Sequence, residues 1–193
     1  MFQVRIHGRG GQGVVTAAEL LSAAAFDDGS HAQAFPSFGS ERTGAPVVSF
    51  CRISDRPIRL RDPIAEPDAL VVGDPTLLHQ VDVFAGLEPA GYALVNSSRG
   101  FAELGLADLL GRFDPERLAT VPATAIARER VGRPLPNAAL LGAFATLTGA
   151  VSLSAVLRAI AERFPGPVGE ANAAAARDAA ASLNRASEVA GRA

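Results

Sequence analysis

A mixed α/β fold built on a largely parallel sheet is what three features of the 193-residue chain predict. A short alternating stretch, Phe2 to His7, runs into the glycine cluster "GRGGQG" at residues 8–13 and then into helical composition from Val14 to Phe26. That order is strand, glycine turn, helix. Residues 69–73, "ALVVG", form a continuous apolar run, the pattern of a strand covered on both faces. From Pro136 onward the chain reads as helices. The expected organisation is a single domain over residues 1–193, with 166–193 as an Ala-rich C-terminal helical extension.

In chain order, Val4 and Ile6 supply the alternation of the first strand, and Asp27-Asp28-Gly29 ends the first helix. His31 to Phe35 and Val47 to Ile53 are extended candidates joined by residues 36–46, a loop longer than a hairpin needs. Long loops in compact domains are often functional. Ile58 to Leu60 is a candidate continuation of the sheet edge, limited by Pro57 and Pro63. After residues 69–73, Asp74-Pro75-Thr76 opens an expected helical stretch to about Phe84. Tyr92 to Val95, ending at Asn96-Ser97-Ser98, reads as another buried strand, and Thr120 to Pro122 as one more. Leu140, Leu141, Phe144 and Leu147 make one helical stripe, and Leu153, Val156, Leu157, Ile160, Ala161 and Phe164 a second. Glu170 to Ala193 is helix-favouring but poor in apolar area, so it needs a surface to pack on.

Composition excludes several classes. Hydrophobic residues make up 48% and charged residues 20%, which is ordinary globular chemistry. All 18 basic residues are Arg, scattered among 20 acidic ones, so no basic face for nucleic acid emerges. Aromatic residues are 6% with no Trp, which leaves few stacking platforms for single strands. Cys51 is alone, so an internal disulfide, a four-Cys cluster and a Cys-based zinc site are out of reach of this chain by itself. No signal-peptide core and no apolar run of about 20 residues is present. The expectation is a soluble, cytoplasmic protein with neither membrane nor nucleic-acid partner.

Gly8, Gly10 and Gly13 satisfy G-x-G-x-x-G in a strand-to-helix setting, where backbone amides and a helix N-terminus favour an anion. A dinucleotide domain would add an acidic residue at the end of its second strand. Asp27 and Asp28 have roughly the right distance but precede that strand, whose end reads Phe35-Pro36-Ser37. Three readings stay open: a stand-alone NAD-binding enzyme, glycines that only let the helix pack tightly, and an anion site of another kind. The stretch Phe35 to Pro46, "FPSFGSERTGAP", sets Ser40-Glu41-Arg42 among apolar residues and glycines. It is either a solvated loop tip or a recognition element, since a fixed guanidinium suits carboxylate or phosphate. His7, His31 and His79 lack a paired carboxylate in register, and no Ser–His–Asp order is visible.

Four stretches taken together carry a resemblance: "GRGGQGVVTAAELL", "AQAFPSFGSERTGAPVVSFCRIS", "VNSS" and "GRPLPNAALLGAFATLTGAVSL". They resemble the gamma subunit of the 2-oxoacid:acceptor oxidoreductases, the pyruvate and 2-oxoisovalerate ferredoxin oxidoreductase family, over most of residues 4–157. The resemblance implies a chain inactive alone and working in a complex with alpha, beta and delta-type subunits. Such complexes decarboxylate a 2-oxoacid oxidatively, usually to an acyl-CoA. Their thiamine diphosphate, Mg and iron–sulfur clusters lie on the partner subunits, and electrons go to ferredoxin or, through a flavin subunit, to NAD.

On that resemblance Gly8, Arg9, Gly10, Gly11, Gln12 and Gly13 are expected to form an anion-facing turn, with coenzyme A phosphates as the anion where that thiol is used. Asn96, Ser97 and Asn137 are expected in the same crevice, Asn137 having the alternative role of capping the helix after Pro136. Ser40, Glu41 and Arg42 are expected at the interface, ordering the partner's active-site entrance. No residue is expected to be catalytic or to bind a metal.

Overall fold

The computed structural model of the chain describes residues 1–37 and 43–185. A seven-stranded sheet runs through it in the order β2-β3-β1-β4-β5-β6-β7. The strands are β1 (Phe2–Arg9), β2 (His31–Pro36), β3 (Pro46–Ser54), β4 (Ala69–Val72), β5 (Tyr92–Asn96), β6 (Leu118–Val121) and β7 (Asn184–Arg185). Strands β1, β4, β5 and β6 are mutually parallel, while β3 is antiparallel to both β1 and β2, and β7 antiparallel to β6. The mixed, mostly parallel sheet is thus the architecture expected from the apolar runs.

The six helices of the described residues are α1 (Val14–Asp27), α2 (Ala107–Leu110), α3 (Ala123–Val131), α4 (Asn137–Thr148), α5 (Leu153–Arg163) and α6 (Pro167–Ala181). Alternation along each strand sends side chains to two cores. Val4, Ile6, Val71, Leu94 and Val121 join the buried faces of the helical layer of α1, α4, α5 and α6. Leu70, Val72, Val95 and Leu118 meet a layer of turns anchored by Leu77, Val83, Phe101 and Phe113. All of β4 is buried, as a strand covered on both sides must be.

The Ala-rich helix α6 finds its surface within the chain. Gly142 of α4 is the reason: a Cβ there would lie 2.0 Å from the Ala176 carbonyl oxygen, so the two helices meet backbone to backbone. Small residues replace bulk with proximity, which suits an alanine face. Helix ends at Ala181 rather than continuing, and Asn184–Arg185 turns back to extend the sheet beside β6. The expected helical tail is therefore helix and then strand; residues 186–193 lie outside the described residues.

Two other expectations are corrected. Ile58 to Leu60 is irregular and joins no strand. The buried Arg52 guanidinium takes the carbonyls of Leu60 (3.4 Å) and Asp62 (2.6 Å), so side-chain bonds occupy groups a ladder would have used. The helix foreseen from Asp74 to Phe84 is a 3-10 turn, Pro75–His79, capped by Asp74. Beyond it the chain bends so that Val83 and Leu87 enter the second core, a requirement of tertiary packing that overrides local propensity.

Candidate functional site

The carboxyl ends of β1, β4, β5 and β6 share one edge of the sheet, since the four are parallel. Open α/β sheets offer their ligand crevice at that edge. A cleft of about 580 Å³ lies there, lined by Gly10, Gly11 and Gln12 of the turn and by Asp74 and Thr76. Arg128 and Arg133, from α3 and the turn after it, line the same cleft. Neither guanidinium is engaged by a described residue.

Within the turn each position has a distinct task. Gly11 and Gly13 have φ of 92° and 74°, the left-handed region that glycine occupies without strain. Gly13 is also the N-cap of α1 and provides no side chain to cap it, so the first-turn amides of a 14-residue helix start directly behind the cleft wall. Gly8 is a packing glycine, because a Cβ there would sit 2.5 Å from Val14 Cγ2. Gly10 belongs to the hairpin loop's root: its N–H donates to the Ala45 carbonyl (2.9 Å) and its carbonyl accepts from Gly44 N (3.1 Å).

Arg9 and Gln12 are braces. Gln12 Oε1 accepts from Arg9 N (2.8 Å) while its Nε2 donates to Asp74 Oδ2 (2.8 Å). The Arg9 guanidinium pairs with Asp74 (3.2 Å) and donates to Gly44 O, Thr76 Oγ1 and Gln80 Oε1 at 3.1, 2.6 and 2.9 Å. Burial raises the Asp74 pKa, but hydrogen bonds from Thr76 and Gln12, with the charge of Arg9, outweigh it and leave the carboxyl below its ordinary value. The Arg9 guanidinium is thus engaged at the β4 end.

Asn96 lines the cleft but is likewise employed. Its Nδ2 donates to Gly73 O (2.8 Å) and Thr124 Oγ1 (2.7 Å), and its Oδ1 accepts from Thr124 N (3.1 Å). It thereby ties the ends of β4 and β5 to the start of α3. Ser97 turns on itself, Oγ accepting from Arg99 N (2.9 Å), and stands outside the cleft wall. Asn137 makes no capping bond; it is the first residue of α4, 7% exposed, with Nδ2 pressed 2.6 Å from where a Gly13 Cβ would be. It forms no side-chain hydrogen bond with a described residue. Ser40, Glu41 and Arg42 lie outside the described residues. The ends of their loop are defined: Ser37 N bonds Val48 O, and Thr43 bridges to Gly10.

The acids considered for a ribose are committed to α5. Asp27 pairs with Arg158, and Asp28 accepts from Ser152 N (2.6 Å) and Ser152 Oγ (2.7 Å) at the helix cap. The second strand in sequence is not beside β1 either, since β3 intervenes. His7 accepts from Arg5 Nε (3.0 Å), and burial, with the Arg5 charge, lowers its pKa to about 4. Among the described residues no three His, Cys, Asp or Glu side chains are grouped to hold a metal, and no helix is long and apolar enough to cross a membrane. Arg128 and Arg133 are what sequence reading missed; they lie late in α3 and beyond it, so no spacing from the strand before it points to them and only the fold brings them to the cleft.

Comparison with known proteins agrees with the resemblance. The family model "Pyruvate ferredoxin/flavodoxin oxidoreductase" matches residues 3–182. The common subunit gamma of the pyruvate/ketoisovalerate oxidoreductases of Thermococcus kodakarensis is 52% identical over 179 residues, covering 93% of this chain and 95% of that one. The crystal structure of pyruvate oxidoreductase subunit PORC from Thermotoga maritima superposes with a TM-score of 0.80 at 35% identity, over 95% of this chain and 97% of that one. A 2-oxoglutarate:ferredoxin oxidoreductase from Magnetococcus marinus shares the fold, with a TM-score of 0.75 at 18% identity, 96% of this chain matching 32% of that one.

Proposed function

Because the chain belongs to the pyruvate ferredoxin/flavodoxin oxidoreductase family as a gamma-type subunit of a 2-oxoacid oxidoreductase complex, we propose that it contributes the dock for an anionic co-substrate at the entrance to a partner's active centre. The anion is the phosphate portion of coenzyme A, and the product is an acyl-CoA. Thiamine diphosphate with Mg supplies the carbanion chemistry, and iron–sulfur clusters the electron path to ferredoxin or, through a flavin subunit, NAD; all of these reside on alpha, beta and delta-type partners. Among the described residues no three His, Cys, Asp or Glu side chains are grouped to hold a metal, and the chain's one thiol, Cys51, is buried, which pushes its pKa up to about 12.

The observation that carries the reading is the pair of guanidiniums, Arg128 and Arg133, which pair with no carboxylate among the described residues and line the same cleft as Gly10 and Gly11. A phosphate there meets two planar donors on one side. The uncapped start of α1 adds favourable partial charge on the other. Arg9 positions the turn and Asn137 backs it at Gly13. Ser40, Glu41 and Arg42, on the loop rooted at Gly10, order the entrance toward the partner.

Replacing Arg128 and Arg133 by Ala in the assembled complex tests this. Charge-assisted hydrogen bonds contribute about 1.5–3 kcal/mol each, so the KM for coenzyme A should rise at least about tenfold, while the melting temperature of the subunit stays unchanged. An unchanged KM removes the dock. The second reading, a ligand-free assembly module, is favoured by the internal engagement of Arg9, Gln12 and Asn96, and it is what that negative result would leave.

A further inference from the structure

At the far side of the sheet from β7, β2 is an edge strand, paired with β3 on one side only. Edge strands in soluble proteins are guarded by charges, bulges or prolines, because their outer N–H and C=O groups invite another strand. Residues 31–35 of β2, His-Ala-Gln-Ala-Phe, pair with β3 in unbroken register, and the strand's one proline stands at its end. The strand also holds Gln33 Oε1 buried without a hydrogen-bond donor among the described residues.

Beside this edge runs a groove of about 670 Å³, larger than the glycine-loop cleft, between β2, α1 and α5. Its floor is made of Ala23, Ala32, Ala34 and Ala159, side chains short enough for a backbone to approach. Phe26, 73% exposed, stands at one end as an apolar anchor. Glu19 and Glu162 stand on its walls and form no ion pair with a described residue. The third acid, Asp27, is already paired with Arg158.

We propose that this edge docks an extended basic segment of another polypeptide of the complex, which adds a strand beside β2 and directs its Arg or Lys side chains to Glu19 and Glu162. Strand addition takes its affinity from main-chain bonds and its selectivity from the flanking side chains. The occupant is not a second β2 edge, because symmetric pairing of two copies would bring the same acidic walls together. A second copy presenting its exposed segment Arg56 to Arg61, which carries three Arg, is the competing occupant.

Hydrogen exchange of the full chain, alone and in the purified complex, separates these. Amides of Ala32 and Ala34, which alternate along β2 with those facing β3, are expected to exchange at least about tenfold more slowly in the complex. They should stay fast in the isolated chain at every concentration. The double variant Glu19→Arg, Glu162→Arg should keep the isolated chain's melting temperature, lose that slowing and dissociate from the complex at lower salt. Equal exchange in both samples overturns the proposal. Slowing that appears in the isolated chain and grows with its concentration overturns it in favour of a second copy.

Discussion

His7 shows how a single position couples burial to stability. Its ring lies beside Arg5, whose guanidinium is spread over the carbonyls of Ile64, Ala65, Val83 and Ala85. The folded pKa of about 4 is below the ordinary 6.5 because burial, then Arg5, oppose a second charge. The unfolded chain therefore takes up a proton that the folded one refuses. Stability conferred by the neutral ring is complete above pH 6.5 and is lost as pH falls toward 4, by about 3 kcal/mol at most. His7→Gln, which keeps an acceptor for Arg5, should flatten that window in urea unfolding followed from pH 7 to pH 4. Cys51 gives a second test at this scale: a thiol raised to about 12 and buried should ignore a thiol reagent until the protein is unfolded. The glycines of the turn were legible from spacing and setting alone. The tasks of Arg9, Gln12 and Asn96 were not, because their partners Asp74 and Thr124 are distant in sequence and only the folded sheet edge joins them.

At the scale of elements, the strands and the long helices could be read because apolar residues recur with a period of 2 along β1 and of about 3.6 along α5. Segments without that discipline misled. Ile58 to Leu60 had strand composition but the Leu60 carbonyl went to Arg52, and the turn after Asp74 had helical composition but its later residues were drawn into the second core. The packing of α6 on α4 could not be read either, since one glycine, Gly142, decides it. Gly142→Ala forces a Cβ against the Ala176 carbonyl. Overpacking of this kind costs about 1–3 kcal/mol, and the thermal midpoint should fall accordingly. Gly149→Ala is the contrast, with φ of 64° but open space around it. Its smaller cost would come from backbone strain alone.

For the molecule as a whole, the parallel order β1-β4-β5-β6 brings a glycine turn, a braced aspartate and two free arginines to one edge, while β2 leaves the opposite flank of the sheet open. Both surfaces make sense in a chain of the gamma type, and the same fold in Magnetococcus marinus is about a third of a longer polypeptide. On the proposed function, this subunit shapes a reaction completed on its neighbours. The direct measurement is 2-oxoacid-dependent acyl-CoA formation with an electron acceptor, assayed for the isolated chain, for the complex lacking it, and for the two recombined. The isolated chain should show no turnover, and the KM for coenzyme A in the deficient complex should fall when the chain is restored. Turnover by the chain alone, or a KM indifferent to its presence, would contradict the proposed function.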